Sequence, residues 1–337
     1  MVSIPHRPPE ADASRRDLVL GLDIGGTKLA AGVVSPGGQT LSLVRTPTPD
    51  PSGPWQAGVA ELIRVARRAI SAANVAIDDL AAIGIGSGGP LDAANGIVMR
   101  PPNLQGWHDV PIAQLIEAEF GRPVSLENDA NAGVLASHRW GAWAGTPDLV
   151  YITISTGIGG GIMIDDRLLR GASGNGGEVG HTVISWGGRP CDCGQRGCVE
   201  AYASGTSIAR RAAEAIQAGR WSSLASLGSV SAADVAAAAS HGDPLATEIW
   251  DETTAILGSM VTSVLNLFEP SAVILGGGVT EAGDQLIEPV RAAARAWGMS
   301  RTARRADVAI TTHGRAIGVL GSAAVAYDRL ETGAMAR

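Results

Sequence analysis

All three cysteines of this 337-residue chain, Cys191, Cys193 and Cys198, fall within eight positions, shortly after His181. Three thiols and one imidazole make a donor set that tetrahedral zinc prefers. Four ligands close the coordination shell, so the ion is read as structural, with no open position for a water. Gly187, Gly188, Gly194 and Gly197 supply the tight turns that let three sulfurs converge. Three unrelated buried thiols acting as small hydrophobes would not explain the clustering in a polar, glycine-rich loop. A disulfide would leave one cysteine over. Glu178 and Glu200 bracket the group. As hard oxygen donors they are not needed to fill such a site, so they are expected to point at something else from a metal-fixed loop.

A chain of this length buries a large core and is expected to form two lobes. It is 45% hydrophobic, with 45 glycines and only 4% aromatic residues. Small residues therefore dominate, which suits glycine-rich ligand loops and close packing of elements. The net charge of −7 argues against a nucleic-acid surface, which usually carries a basic stripe. Residues 1–17 hold Pro, Ser, Arg and acids without an apolar core, and read as a flexible tail and not as a signal peptide or anchor. Thr253–Phe268 is an uncharged run, but shorter than the roughly 20 residues that span a membrane. Reduced thiols without an export signal point to the cytoplasm.

Two segments share one design. Leu18–Asp23 is an apolar run that ends in an acid, followed by Gly25-Gly26-Thr27-Lys28 and a second run, Leu29–Val34. Leu149–Ser155 runs into Thr156-Gly157-Ile158-Gly159-Gly160-Gly161 and then Ile162–Ile164. Each reads as strand, glycine turn, strand, and the backbone amides of such a turn can approach a phosphate closely. The repeat suggests duplicated halves with a nucleotide between them. Asp23, at a strand end, is placed to hold a magnesium ion directly or through water. Two look-alikes are rejected. Gly21-x₄-Gly26-Thr27-Lys28 has the wrong residue order for a P-loop, and a hairpin is expected where a P-loop opens a helix. Gly84-x-Gly86-x-x-Gly89 mimics a dinucleotide fingerprint, but Pro90 and Asn95-Gly96 continue it as turn and hairpin.

Further strands are expected at Thr40–Arg45, Ala81–Ile85, Pro123–Leu126, Ser271–Leu275 and Asp307–Thr312. Helices are expected at Trp55–Ala73, Val110–Phe120, from Asp129 toward Trp140, and at Ser207–Ala218, Ala232–Ser240, Pro244–Phe268, Asp284–Trp297 and Ala316–Arg329. Asn128 and Asp129 stand at a strand-to-helix junction. One of them suffices for an N-cap. Asn128, Asp129 and Asn131 together exceed what a cap needs, so a ligand role is expected. Gly276-Gly277-Gly278 closes another strand and allows close backbone approach.

Together these motifs resemble the ROK family of repressors and sugar kinases, and within it the bacterial glucokinases. The residues that carry the resemblance are L-D-I-G-G-T-K (22–28), G-G-P-L-D (88–92), P-N-L (102–104), E-N-D-A-N-A (127–132), T-G-I-G-G-G (156–161), G-E-V-G-H (177–181), C-D-C-G-Q-R-G-C-V-E (191–200) and L-G-G-G (275–278). They span about residues 18–330 in order. The resemblance implies a two-lobed α/β fold like that of actin, hexokinase and the Hsp70 ATPase. One lobe would comprise 18–125 plus 315–332, after a tail at 1–17. The other would comprise 126–314 and carry the zinc loop 181–198. A homodimer is also implied.

Residue by residue, the resemblance makes Asp129 the catalytic base. Gly88, Gly89, Asn103, Asn128, Glu178, His181 and Glu200 become the sugar's partners. Asp23, Gly25, Gly26, Thr27, Lys28, Thr156 and Gly157 become contacts to ATP phosphates and Mg²⁺. Gly276, Gly277 and Gly278 would lie beside the adenosine. His181 would bind Zn²⁺ with Cys191, Cys193 and Cys198 through one ring nitrogen and face the sugar with the other. Ser155 and Gly88-Gly89-Pro90 depart slightly from the commoner pattern. Phosphorylation of a hexose at its 6-hydroxyl, with glucose first, is the implied reaction. An N-acetylmannosamine or N-acetylglucosamine kinase is the alternative. A sugar-sensing regulator would need a DNA-binding domain, and only about 20 residues precede Asp23.

Overall fold

The computed structural model describes residues 17–333; the tail expected at 1–17 lies almost wholly outside them. Two five-stranded mixed sheets form the frame. The first contains β1 (Leu18–Ile24), β2 (Lys28–Val34), β3 (Val44–Pro47), β4 (Leu80–Ser87) and β7 (Val124–Asn128), in the order β3-β2-β1-β4-β7. The second contains β8 (Leu149–Ile154), β9 (Ile158–Ile164), β10 (Arg167–Leu168), β11 (Ala272–Gly276) and β12 (Asp307–Ile310), in the order β10-β9-β8-β11-β12. The two orders correspond strand for strand. In each, an antiparallel pair joined by a glycine turn (β1–β2, β8–β9) leads into parallel strands. A small hairpin, β5 (Leu91–Asp92) with β6 (Ile97–Val98), stands apart.

Helices α1 (Trp55–Ala72) and α2 (Ile112–Phe120) pack with the first sheet. Helix α1 has an apolar stripe, Val59, Leu62, Val65, Ala66, Ala69 and Ile70, facing that core, as a 3.6-residue period demands. Helix α2 ends at Gly121, whose φ of 63° is the left-handed cap that glycine favours. On the second sheet lie α4 (Glu200–Ala203), α5 (Gly205–Gln217), α6 (Ala232–Ser240), α7 (Pro244–Phe268), α8 (Asp284–Trp297) and α9 (Arg301–Arg305). The start of α7 combines an Asp243 cap on Ala246 N with Pro244 at the first position, the arrangement that sequence predicts.

Between the sheets lie α3 (Asp129–Arg139) and α10 (Ile317–Thr332), sharing one core with Val19, Ala82, Tyr151 and Ile274. Helix α10 sits so close to the first sheet that a Cβ on Gly84 would lie 1.8 Å from Ser322 O, and one on Gly21 2.3 Å from Val319 O. Ser322 Oγ donates to Leu22 O across this seam.

Most expected elements form within two residues of their predicted ends. The third strand begins later than expected, at Val44, with only a single bridge at Thr40. The hydroxyl of nearby Ser42 accepts from Val33 N, taking a donor that a regular ladder would have used. The four-residue α4 and the five-residue α9 had no periodic signal to reveal them. Among the described residues, no helix is long and apolar enough to cross a membrane.

Candidate active site

A cleft of about 800 Å³ opens where the strand ends of both sheets meet. Its walls include Gly25 and Gly26 of the first turn, Gly88, Gly89 and Asn103, and Asn128 and Asp129 at the start of α3. From the second half come Thr156, Gly157, Glu178, His181 and Glu200. The expected sugar contacts and Asp129, the aspartate expected to act as base, are therefore brought together. Asp23, Thr27, Lys28 and Gly276–Gly278 do not line this cavity, although each lies at the edge of a wall that does. Gly276 pairs with Thr153, and Thr153 faces the cleft.

The two glycine turns nearly touch. Thr27 Oγ1 lies 3.3 Å from Thr156 Oγ1. Gly26 in turn rests on the loop of Asn103, where an added Cβ would fall 2.5 Å from Asn103 O. The first turn thus braces the loop that presents Asn103, and no larger residue fits between them.

Asn128 divides its side chain between two tasks. Its Oδ1 accepts from Ala130 N at 2.9 Å and Asn131 N at 3.3 Å, capping α3. The amide nitrogen is left as a donor on the Gly89 side of the cleft. An aspartate could cap equally well but would offer no N–H here. Asp129 follows, with Oδ1 accepting from Ala130 N at 2.9 Å. Burial holds its carboxyl above the ordinary range, and that backbone amide pulls it part of the way back. Burial likewise raises Asp23 to about 6, opposed by Lys28 and Arg45 and reinforced by the Asp129 charge. Two carboxylates sharing one desolvated site would gain from a cation between them.

Glu127 carries a support that sequence reading passed over. This carboxylate is 2% exposed. It accepts from Asn128 N and from Asn131 Nδ2, each at 3.0 Å, and from Arg170 Nε at 2.9 Å. It therefore clamps the first turn of α3 to the 169–177 loop. That loop reaches the other half of the molecule through Asn175, whose Oδ1 accepts from Leu91 N at 3.2 Å. The only sequence signal was its place at the head of the E-N-D-A-N-A stretch, where no role of its own was expected.

The Cys₃His set converges as expected. The four donor atoms lie within 4.8 Å of one another. Cys193 Sγ and Cys198 Sγ are 3.7 Å apart, and Cys191 Sγ is 3.7 Å from His181 Nδ1. Ligands about 2.3 Å from a tetrahedral centre stand roughly 3.8 Å from each other, so the spacing fits zinc. Burial pushes the Cys198 thiol up to about 12, and the neighbouring sulfurs add to it; a cation would be needed to hold all three as thiolates. His181 turns Nε2 the other way, 3.9 Å from Glu178 Oε2. Burial raises Glu178; His181 lowers it, while Asp129 and Glu200 raise it further. Glu200 Oε2 accepts from Ile158 N at 2.7 Å. An added Cβ on Gly157 would meet that oxygen at 2.5 Å, which accounts for the glycine. Glu200 is thus a tie between the cysteine loop and the second glycine turn.

Of the histidines without a motif, His108 lines the cleft and accepts from Arg100 Nε at 3.1 Å. His138, His241 and His313 bond Asp166, the Ala237 carbonyl and the Trp140 carbonyl; His6 lies outside the described residues.

The fold and this cleft define a two-lobed phosphotransferase architecture. Residues 19–329 match the model of the ROK family, and the chain belongs to it. It is 34% identical to the glucokinase of Halalkalibacterium halodurans over 310 residues, 90% of this chain and 92% of that one. Its structure is similar to the ROK family glucokinase of Streptomyces griseus in complex with glucose and AMPPNP, with a TM-score of 0.80, 33% identity and coverage of 92% and 99%. It is also similar to the ROK hexokinase of Thermus thermophilus, with a TM-score of 0.75, 37% identity and coverage of 94% and 100%.

Proposed function

We propose that the protein is an ATP-dependent sugar kinase that phosphorylates glucose at its 6-hydroxyl. The observation that carries this reading is Asp129 in a cleft that also gathers two glycine turns and the hydrogen-bonding side chains of Asn103, Asn128, Glu178 and His181. Likeness to glucokinases over nearly the whole chain supports the substrate.

The chemistry follows from the groups present. Asn103, Asn128, Glu178 and His181 offer donors and acceptors that suit the hydroxyls of a neutral sugar. Asp129 is placed to take the proton of the attacking hydroxyl. Its raised affinity for protons, set by burial, makes it a stronger base than an exposed aspartate. Amides of the Gly25-Gly26 and Thr156-Gly157 turns would hold the phosphates in line. Asp23 would hold Mg²⁺, which neutralises phosphate charge when bound. Zn²⁺ in the Cys₃His set would fix the loop from which His181 and Glu200 project. Gly276–Gly278 are assigned to the adenosine side. Residues 18–125 with 315–332, and 126–314, are taken as the two lobes, although β7 carries the first sheet on to Asn128. A homodimer belongs to the same reading, and sedimentation measures it.

The deciding experiment is ADP release with glucose, mannose, fructose, N-acetylglucosamine and N-acetylmannosamine as acceptors. Glucose is expected to give the highest kcat/KM. Preference for an N-acetylated sugar would keep the mechanism and move the substrate. No turnover with any sugar would overturn the kinase reading.

A further inference from the structure

A second concavity, of about 550 Å³, lies between α8, α9 and the start of β12. Its lining includes Arg291, Arg295, Arg304 and Arg305 against a single carboxylate, Asp307. That ratio is unusual in a chain with a net charge of −7. Elsewhere the arginines are largely engaged by acids, as in Arg139–Glu331, Arg189–Glu214, Arg220–Glu248 and Arg315–Glu281. Here Arg291 gives one amino group to Glu288 at 2.7 Å and its Nε to Val308 O at 2.6 Å. Arg304 gives Nε to Gly298 O at 2.6 Å, which orients its guanidinium without neutralising it. Among the described residues, Arg295 and Arg305 have no acidic partner within salt-bridge distance. Asp307 is itself engaged, its Oδ2 accepting from Trp143 Nε1 at 3.1 Å.

We propose that this concavity binds a small phosphoanion, either an inorganic phosphate chain or a phosphate ester. Guanidinium groups present planar, paired N–H donors that match phosphate oxygens, and several together hold more charge than one phosphate carries. Backbone carbonyls pin two of the four guanidiniums before any ligand arrives, so part of the ordering cost is already met. The site is separate from the cleft. Asp307 pairs with Ala272, and Ala272 with Leu149, at the first residues of β11 and β8. The cleft lies at the other end of these strands, beyond Thr153, roughly 15–20 Å along the sheet at the usual rise per residue.

The test is calorimetric titration of the full chain, its cleft first saturated with glucose and a non-hydrolysable ATP analogue. Pyrophosphate and glucose 6-phosphate are the two probes, and the comparison protein carries Arg295→Glu with Arg305→Glu. Both side chains are exposed, so folding is expected to survive, which an unchanged melting curve confirms. The wild type should bind at least one probe with the cleft blocked, and the double variant should bind it weaker by about 100-fold or more, as loss of two charge-assisted contacts implies. The tighter probe identifies the source as an inorganic chain or an ester. Basal turnover of the variant should be unchanged. Absence of binding, equal affinity in the variant, or binding that disappears once the cleft is filled would each overturn the proposal. Tighter binding of a DNA duplex than of either probe would overturn it as well, by making the patch a nucleic-acid face.

Discussion

Thr27 Oγ1 and Thr156 Oγ1 stand 3.3 Å apart although 129 positions separate them in the chain. They belong to the two glycine turns, so the duplicated sheets meet at a pair of hydroxyls. An oxygen of a transferring phosphate would replace that contact with one bond to each. Thr156→Val keeps the shape and removes the donor. With a hydrogen bond to a charged group worth about 1.5–3 kcal/mol, KM for ATP should rise roughly tenfold to a hundredfold. KM for the sugar should move much less. Steady-state kinetics with each substrate varied separately decides this, and equal shifts in both would contradict the assignment.

Asp129→Asn removes the proposed proton acceptor while keeping the size of the side chain and an oxygen for Ala130 N. Turnover should fall by about 10²–10⁴-fold, with sugar binding retained in calorimetry. Since burial raises the carboxyl, the wild-type kcat/KM should decline with falling pH at a pH above the ordinary aspartate range. A variant with near-normal turnover would exclude Asp129 as the base.

Asp23 makes an opposite demand on stability. Its folded-state value, raised to about 6 from 3.8, means that the folded protein holds this proton more tightly than the unfolded chain does. The resulting stability is complete below about pH 4 and is lost as pH rises through about 6. Asp23→Asn should therefore stabilise the ligand-free protein by roughly 1–3 kcal/mol at pH 8 and by little at pH 4. Melting curves at the two pH values test the sign. The gain should shrink with Mg²⁺ and nucleotide bound, because a cation favours the ionised aspartate.

Glu127→Gln tests the clamp beneath Asn128. The amide still accepts through one oxygen, but the charge opposite Arg170 is gone. Glu127 does not line the cleft and, of the groups that do, holds only the backbone amide of Asn128, so it acts by positioning Asn128 and Asp129. The expected result is a fall in kcat of roughly tenfold, the order of one lost charged hydrogen bond. The acid limb of the pH profile should stay in place, because Asp129, the proposed base, is unchanged. A shift of that limb would contradict a purely positioning role.

Metal analysis should find one zinc per chain in protein purified without chelator. Removing it should lower the melting temperature and raise KM for the sugar, since His181, one of the four expected ligands, also faces Glu178. Cys198→Ser should reproduce both effects. Fully active protein without zinc would remove the structural-metal assignment.

The two strand–turn–strand units, the junction at Asn128-Asp129 and the Cys₃His loop were legible because each is written locally, in residues whose spacing is their chemistry. The start of the helix at Pro244–Phe268 was legible because Asp243 caps it and Pro244 opens it. What escaped is written across the chain. The Glu127–Arg170 pair spans 43 positions, and Asn175 reaches Leu91 over 84. The arginine concavity assembles from a helix face and a short helix beyond it, neither with a local motif. Glu200 was read only as a sugar contact. Its bond to Ile158 N depends on the approach of two loops that no spacing reveals.

The seam between α10 and the first sheet also sets the order in which this protein can be made. β1 leaves the ribosome long before the helix that covers Gly21 and Gly84, since Ser322 reaches Leu22 over 300 positions. Until then one apolar face of the first sheet, around Val19, Ala30 and Ala82, lacks that cover. The nascent chain must carry this unfinished face while the intervening residues are made, a state in which a chaperone has a surface to hold and a truncated product has one with which to aggregate.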